Sequence, residues 1–369
     1  MSGHRTDPRD AQTVSAPTLL SIAAAAASRA PGGPGATFDL MLGDEHRLDE
    51  QTRFAAHNRL DAVIGAVERE IRDHASRLLQ SRDATALVGA LEAAGEAASM
   101  LRNSAALRDS GLIEEILAAV RLELIGAALP VEARDDADEE SLLARLVQAP
   151  DRLVAAGALS VLGADSRRRA VADPDLLSGG DLDAEHYHRL VWLVCAAIRV
   201  SMQVPQGTDP APADSALTQA ARRSLAAHDE GERPEAAAQR LAQALAPSPS
   251  ELPGLLEEAL EDRRIILFTA LLARAMDADY DFARELVLSP APERLWVALR
   301  GLDLPRPTIA RIGYALCEAD RRHDVEHFAD MIDTIMALPI DEARGASVPT
   351  KLDREYRRAL AALGREEVA

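Results

Sequence analysis

The sequence predicts an all-α protein made of stacked helical hairpins in two helical halves, and three observations carry that expectation. Apolar residues are 47% of the 369-residue chain but aromatics only 3%. The interior must therefore be built from Leu, Ala, Val and Ile, which suits closely packed helices better than a β-sandwich. Apolar positions recur at steps of three and four, and no stretch sustains the alternation of a half-buried strand. Two runs are apolar nearly all round, which a helix lying on a surface would not tolerate.

Residues 1–40 form an N-terminal lead, expected to be mobile or to hold a short helix. Within it "TLLSIAAAAASRAPGG" has the character of a short signal-peptide core, but Asp7 and Asp10 dilute the basic segment that should precede one. Cys195 in "LVWLVCAAI" and Cys317 in "IGYALCEAD" are lone cysteines without C-x-x-C spacing. They fit buried thiols in a reducing compartment, so a cytoplasmic protein is expected. Elsewhere the longest apolar runs reach nine residues, short of the ~20 needed to cross a bilayer.

In "RLDAVIGAVEREIRDHASRLL", Leu60, Ile64, Val67, Ile71, Ala75 and Leu78 draw one apolar stripe along a long amphipathic helix. Similar stripes occur in "SGLIEEILAAVRLELIGAAL", "EESLLARLVQA" and "FADMIDTIMALPI". Residues 129–140, "LPVEARDDADEE", read as an exposed acidic loop. "SGGDLDAEH" offers Gly179 and Gly180 as a stop and Asp183 as the next N-cap. "SPSE" offers Ser248 as N-cap, Pro249 at the first helical position and Glu251 to complete a capping box. The three prolines and one glycine of "QVPQGTDPAPADSA" mark a break. A linker is expected at 205–214, between a helical half at 41–204 and another at 215–369.

The two runs that are apolar all round are Leu190 to Ile198, between Arg189 and Arg199, and Ile265 to Ala273, between Arg264 and Arg274. They lie 75 residues apart. A further Arg-led run, "RLVAAGALSVL" from Arg152, starts 37 residues before the first. The spacing suggests a repeat of about 37 residues, in the range of helical-hairpin solenoids, although no copy occupies the slot near residue 227.

These segments resemble a known family. "EHYHRLVWLVCAAIR" preceded by "DLDA", the earlier "DRLVAAGALSVLGADSRRR" and the later "ILFTALLARAMDADYDFARELVLSPAPERLWVALRGLDLP" look like parts of an uncharacterised alphaproteobacterial family of HEAT-like helical-repeat proteins, a domain of unknown function, over most of residues 40–338. The resemblance implies a right-handed stack of helical hairpins. It implies no activity and transfers no catalytic residue.

The formal charge is −19, and every basic residue but Lys351 is arginine. Lys351 follows "VPT" rather than a glycine, so the G-x-x-x-x-G-K-[ST] phosphate loop is absent. A Schiff base would have to use Lys351 in a polar segment. So acidic a chain repels a nucleic-acid backbone. The basic clusters Arg167 to Arg169 and Arg321, Arg322 read as solvated helix ends, so no nucleic-acid partner is expected. Neither a G-x-S-x-G elbow nor a G-x-G-x-x-G fingerprint occurs.

His323, Glu326 and His327 spell H-x-x-E-H, the inverted zinc-peptidase pattern. On a helical wheel Val325, Phe328, Ile332 and Ile335 mark the buried side, and both histidines fall on the polar flank. The glutamates that follow, Glu342 and Glu355, have no motif support as a third ligand. His186 and His188 are two apart on a helix and point to different sides. Asp277, Asp279 and Asp281 match the start of a calcium loop, but Phe282 and Leu288 stand where glycine and the bidentate glutamate belong. They fit an acidic inter-helix turn and N-cap. His57 lacks the flanking pattern and ATP-binding domain of a phosphoacceptor, and His74 fits a partly buried, hydrogen-bonded histidine.

No catalytic, cofactor-binding or metal-ligating residue is assigned, and no cofactor or membrane contact is expected. The expected function is a non-catalytic protein-interaction module, with a regulatory or signalling role open, for a protein partner with a basic surface. The alternatives are a metal-dependent hydrolase at 323–327 and a structural homo-oligomer.

Overall fold

The computed structural model describes residues 15–28, 48–102, 104–108, 111–130, 140–169, 181–346 and 356. Among the described residues there are eighteen α-helices and no strand. The first six are α1 Ala16–Ser28, α2 Glu50–Gln80, α3 Thr85–Glu92, α4 Ala97–Leu101, α5 Ala105–Arg108 and α6 Leu112–Ala128. Next come α7 Leu142–Val147, α8 Arg152–Arg169, α9 Ala184–Ser201, α10 Ala211–Ala227, α11 Pro234–Leu245 and α12 Leu252–Glu261. The last six are α13 Ile265–Met276, α14 Tyr280–Val287, α15 Glu293–Gly301, α16 Arg306–Ala319, α17 Val325–Ala337 and α18 Ile340–Ala346. A 3-10 turn, Glu230–Glu232, precedes α11.

Local chemistry sets the helix starts. Asp49 accepts from the Thr52 amide at 2.8 Å to cap α2, and Asp183 accepts from the His186 amide at 2.9 Å to cap α9, as its sequence position predicts. Prolines occupy the first turn of α10, α11, α12 and α16, where no amide hydrogen is needed. At "SPSE" the reciprocal contact forms, since Glu251 Oε2 accepts from the Ser248 amide at 2.9 Å, but α12 starts only at Leu252, one turn later than the motif suggests.

The α2 stripe buries Ile64, Val67, Ile71 and Ala75. α13 is enclosed: every residue from Ile265 to Ala273 except Ile266 is buried, and the Thr269 hydroxyl is satisfied by donating to the Ile265 carbonyl at 2.7 Å. α16 and α17 meet at a knob in a hole. The Phe328 ring lies over Gly313, where an added Cβ would sit 2.0 Å from Cζ.

The buried apolar residues form two separate cores. The smaller is made by α2 to α5, the first half of α6 (Leu112, Ile116, Val120), α9 and α10. The larger is made by α1, the second half of α6 (Leu122, Ile125) with Leu129 just beyond it, α7, α8 and α11 to α18. α6 joins them, and the other substantial helix-to-helix packing stays within one core or the other.

The break at 205–214 therefore does not divide the two cores. It falls between α9 and α10, which share the smaller one, while α7 and α8 before it belong to the larger. Pro205, Gly207 at φ 81° and Pro210 mark a turn, and composition alone does not say which core the helices on either side enter. The N-terminal lead contains α1, whose Leu19 and Ala23 are buried against the larger core. Residues 131–139, Gly179, Gly180 and Lys351 lie outside the described residues. No helix among the described residues is long and apolar enough to cross a membrane.

Candidate functional site

The H-x-x-E-H residues do not assemble a metal centre. Asp324 caps α17 by accepting from the Glu326 amide at 2.8 Å, so His323 precedes the helix and the wheel drawn through it does not apply. Instead of lying on a polar flank, the His323 side chain is 5% exposed. Its Nε2 donates to the Ser289 carbonyl at 2.9 Å, tying α17 to the turn after α14. His327 sits apart, with Nε2 3.4 Å from Glu293 and its ring against Trp296. Among the described residues no group of three or more His, Cys, Asp or Glu side chains is placed to hold a metal ion.

The other histidine and aspartate candidates also diverge. His186 Nδ1 lies 2.6 Å from Asp183 Oδ2, while His188 Nε2 accepts from Trp192 Nε1 at 3.2 Å. Asp277 ends α13 in the left-handed region at φ 51°, Asp279 takes the N-cap position of α14, and Asp281 lies 3.0 Å from Arg284. His57 is exposed and donates to the Arg53 carbonyl, and half-buried His74 accepts from Arg77. Cys195 and Cys317 are buried, and desolvation pushes their thiols up to about 11 and about 12.

What the fold does assemble is a line of buried charge between the two cores. Arg284 of α14 grips Glu115 of α6 with two parallel bonds at 2.7 and 2.8 Å, both side chains being almost fully buried. Arg233, just before α11, approaches the same carboxylate at 3.5 Å. Arg168 of α8 binds Glu235 of α11 at 3.2 Å and lies 3.2 Å from Glu123 of α6. Arg59 of α2 reaches Glu123 at 3.2 Å and also pairs with Asp181. Burial works against ionising Glu235, but Arg168 and Arg233 outweigh it and hold the carboxyl below its usual range. Burial also pushes the Tyr280 hydroxyl up, and the nearby Glu235 adds to that.

Arg168 corrects the expectation that "SRRRA" is a solvated helix end: its side chain is 12% exposed. Arg322 is likewise half-buried and bonded to Asp320 and the Leu288 carbonyl. Sequence reading missed this seam because a basic run carries the same signal whether it is solvated or paired inside. The available clue was the near-exclusive use of arginine, whose planar fork suits buried carboxylates better than an ammonium does.

A second feature lies outside. On α8 Leu153 is 72% exposed, Leu159 is 56% exposed, and Ala156 between them is exposed. The opposite side of the same helix buries Val154, Ala158, Val161 and Ala164 in the larger core. At the close α8–α11 crossing, a Cβ on Gly157 would sit 3.2 Å from Leu241 Cα.

No curated protein and no solved structure matches the chain. A family model does match, over residues 131–346. The match takes in α7 to α18, and with them Arg168, Arg233, Glu235 and Arg284, but leaves Arg59, Glu115 and Glu123 outside. It starts well after residue 40, where the resemblance was expected to begin. Covering more than half of the chain, it makes the protein a member of the bacterial family described as "uncharacterised protein conserved in bacteria", DUF2336.

Proposed function

We propose that the protein is a non-catalytic protein-interaction module of the cytoplasm, its helices arranged as HEAT-like hairpins, which docks a partner on the outer side of α8. The observation that carries this reading is the uncovered row Leu153, Ala156, Leu159. Single exposed leucines are ordinary, but leucines spaced along one side of a helix whose other side is well packed form a small apolar patch on which a partner could dock. Buried, free thiols support the compartment. The net charge of −19 favours a partner that rims its apolar contact with arginine or lysine.

The test uses affinity capture from the native host with the wild-type chain and with a Leu153→Asp/Leu159→Asp variant. Both side chains are exposed, so each substitution should change stability by no more than about 0.5 kcal/mol. A partner retained by the wild type, released by added salt and lost in the variant is the expected result. Equal recovery by the two proteins defeats the proposal. Light scattering on the purified chain checks the rival occupant, since a dimer that the variant splits would give the face to a second copy.

A further inference from the structure

The seam between the cores has a property that neither core shares. Within each core the helices are held by apolar burial, whose contribution grows with area and does not depend on finding one geometry. Across the seam they are held by α6 and by ion pairs, where the cost of stripping water from each charge cancels much of the attraction. The pairing is also incomplete. Buried Arg168 Nε faces Glu123 at 3.2 Å, and buried Arg233 Nε faces Glu235 Oε2 at 3.8 Å, as ion pairs that do not form hydrogen bonds. The hydroxyl of Tyr280 is buried without a hydrogen-bond partner among the described residues. Water admitted to the seam would complete the bonding of these atoms, so opening it recovers part of what closure loses.

We propose that the seam is a latch between two separately cooperative cores: the smaller core parts from the larger along the ion network and unfolds on its own while the larger stays folded. The chain crosses from one core to the other between α1 and α2, within α6, between α8 and α9, and between α10 and α11. The released core therefore stays tethered at four places, α6 among them. This is a property of the fold and does not depend on what docks on α8.

The sequence supplies its own reporters. It has two cysteines, and they fall one in each core, Cys195 in the smaller and Cys317 in the larger, both buried. Pulse alkylation of the full-length wild-type chain along a urea series, read by peptide mass spectrometry, follows each core without any substitution. The latch requires two midpoints, with Cys195 modified at lower urea than Cys317. Ile198→Val, a small deletion beside Cys195, should move the Cys195 midpoint alone. Glu115→Gln, which strips Arg284 and Arg233 of their shared carboxylate, should raise labelling of Cys195 without urea by roughly 100-fold or more and leave the Cys317 midpoint in place. One common midpoint for both thiols in the wild type, or equal displacement of both by either variant, overturns the proposal. Should Glu115→Gln fail to fold, the wild type and Ile198→Val decide the matter.

Discussion

α9 and α13 begin from the same sequence pattern, nine residues with almost no polar interruption between two arginines, and end in different surroundings. α13 has α6, α11, α12 and α14 packed around it, and its apolar run is buried on all sides. α9 lies against α2, α4, α5 and α10, burying Leu190, Val191, Val194 and Ile198, but leaves Trp192 half-covered, Ala196 exposed and Val200 73% exposed. An apolar run sets how much surface a helix can lose to its neighbours. How the neighbours are placed is decided by position in the fold: four helices flank each run, but those around α13 enclose it within the larger core, whereas those on α9 leave one side to water at the edge of the smaller one.

The comparison breaks most visibly at α13. Phe268 is fully buried, and Phe268→Ala should cost about 3–5 kcal/mol in urea denaturation, because the enclosing helices cannot collapse into the vacated space. A loss below 1 kcal/mol would mean that α13 is not enclosed. Within α9 the same measurement should separate two sides of one helix. Ile198→Val, at a fully buried position, should cost about 0.5–1.5 kcal/mol. Val200→Ser, two residues on and facing water, should stay within about 0.5 kcal/mol of the wild type. Equal losses at 198 and 200 would show that something covers the outer side of α9.

How far the sequence made this legible follows from the same contrast. Period 3.6 identifies a helix and its buried side, so the all-α class, the α2 stripe and the Asp183 cap were readable. Period carries no information about which other helix a stripe meets. For that reason the interleaving of the cores, with α9 and α10 returning to the smaller one, was invisible, and the proline-rich turn at 205–214 gave no sign that the helices on either side of it share a core. His323 was misplaced by a related error, since the wheel was extended back past the Asp324 cap to a residue whose direction is set by a turn. The seam was unreadable because an ion pair needs two partners. Arg284 and Glu115 stand 169 residues apart, and nothing local in either sequence marks the other.

The smallest expected effect sits at the N-terminus of α9, where α13 has nothing equivalent, Arg264 making no side-chain cap there. A protonated imidazole at a helix N-terminus works against the helix dipole. The bond to Asp183 nevertheless dominates, against burial and with help from Glu115 and Glu185, and raises the pKa of His186 above its ordinary value. Burial opposes ionising Asp183 too, but its bonds to the His186 side chain and amide hold it below the usual range. His228, stacked on Tyr187 with ring centroids 4.0 Å apart, is shifted downward, chiefly by desolvation. The two histidines then pull stability in opposite directions on either side of the unfolded value of about 6.5. Below that pH the His186 contribution is fully present, and it is lost as pH rises through the elevated folded pKa. The His228 contribution is present above it and is lost as pH falls. From these groups the melting temperature should pass through a maximum near pH 6.5, and His186→Gln should flatten only the alkaline side. A variant that keeps the full alkaline decline would show that the Asp183 to His186 bond does not carry it.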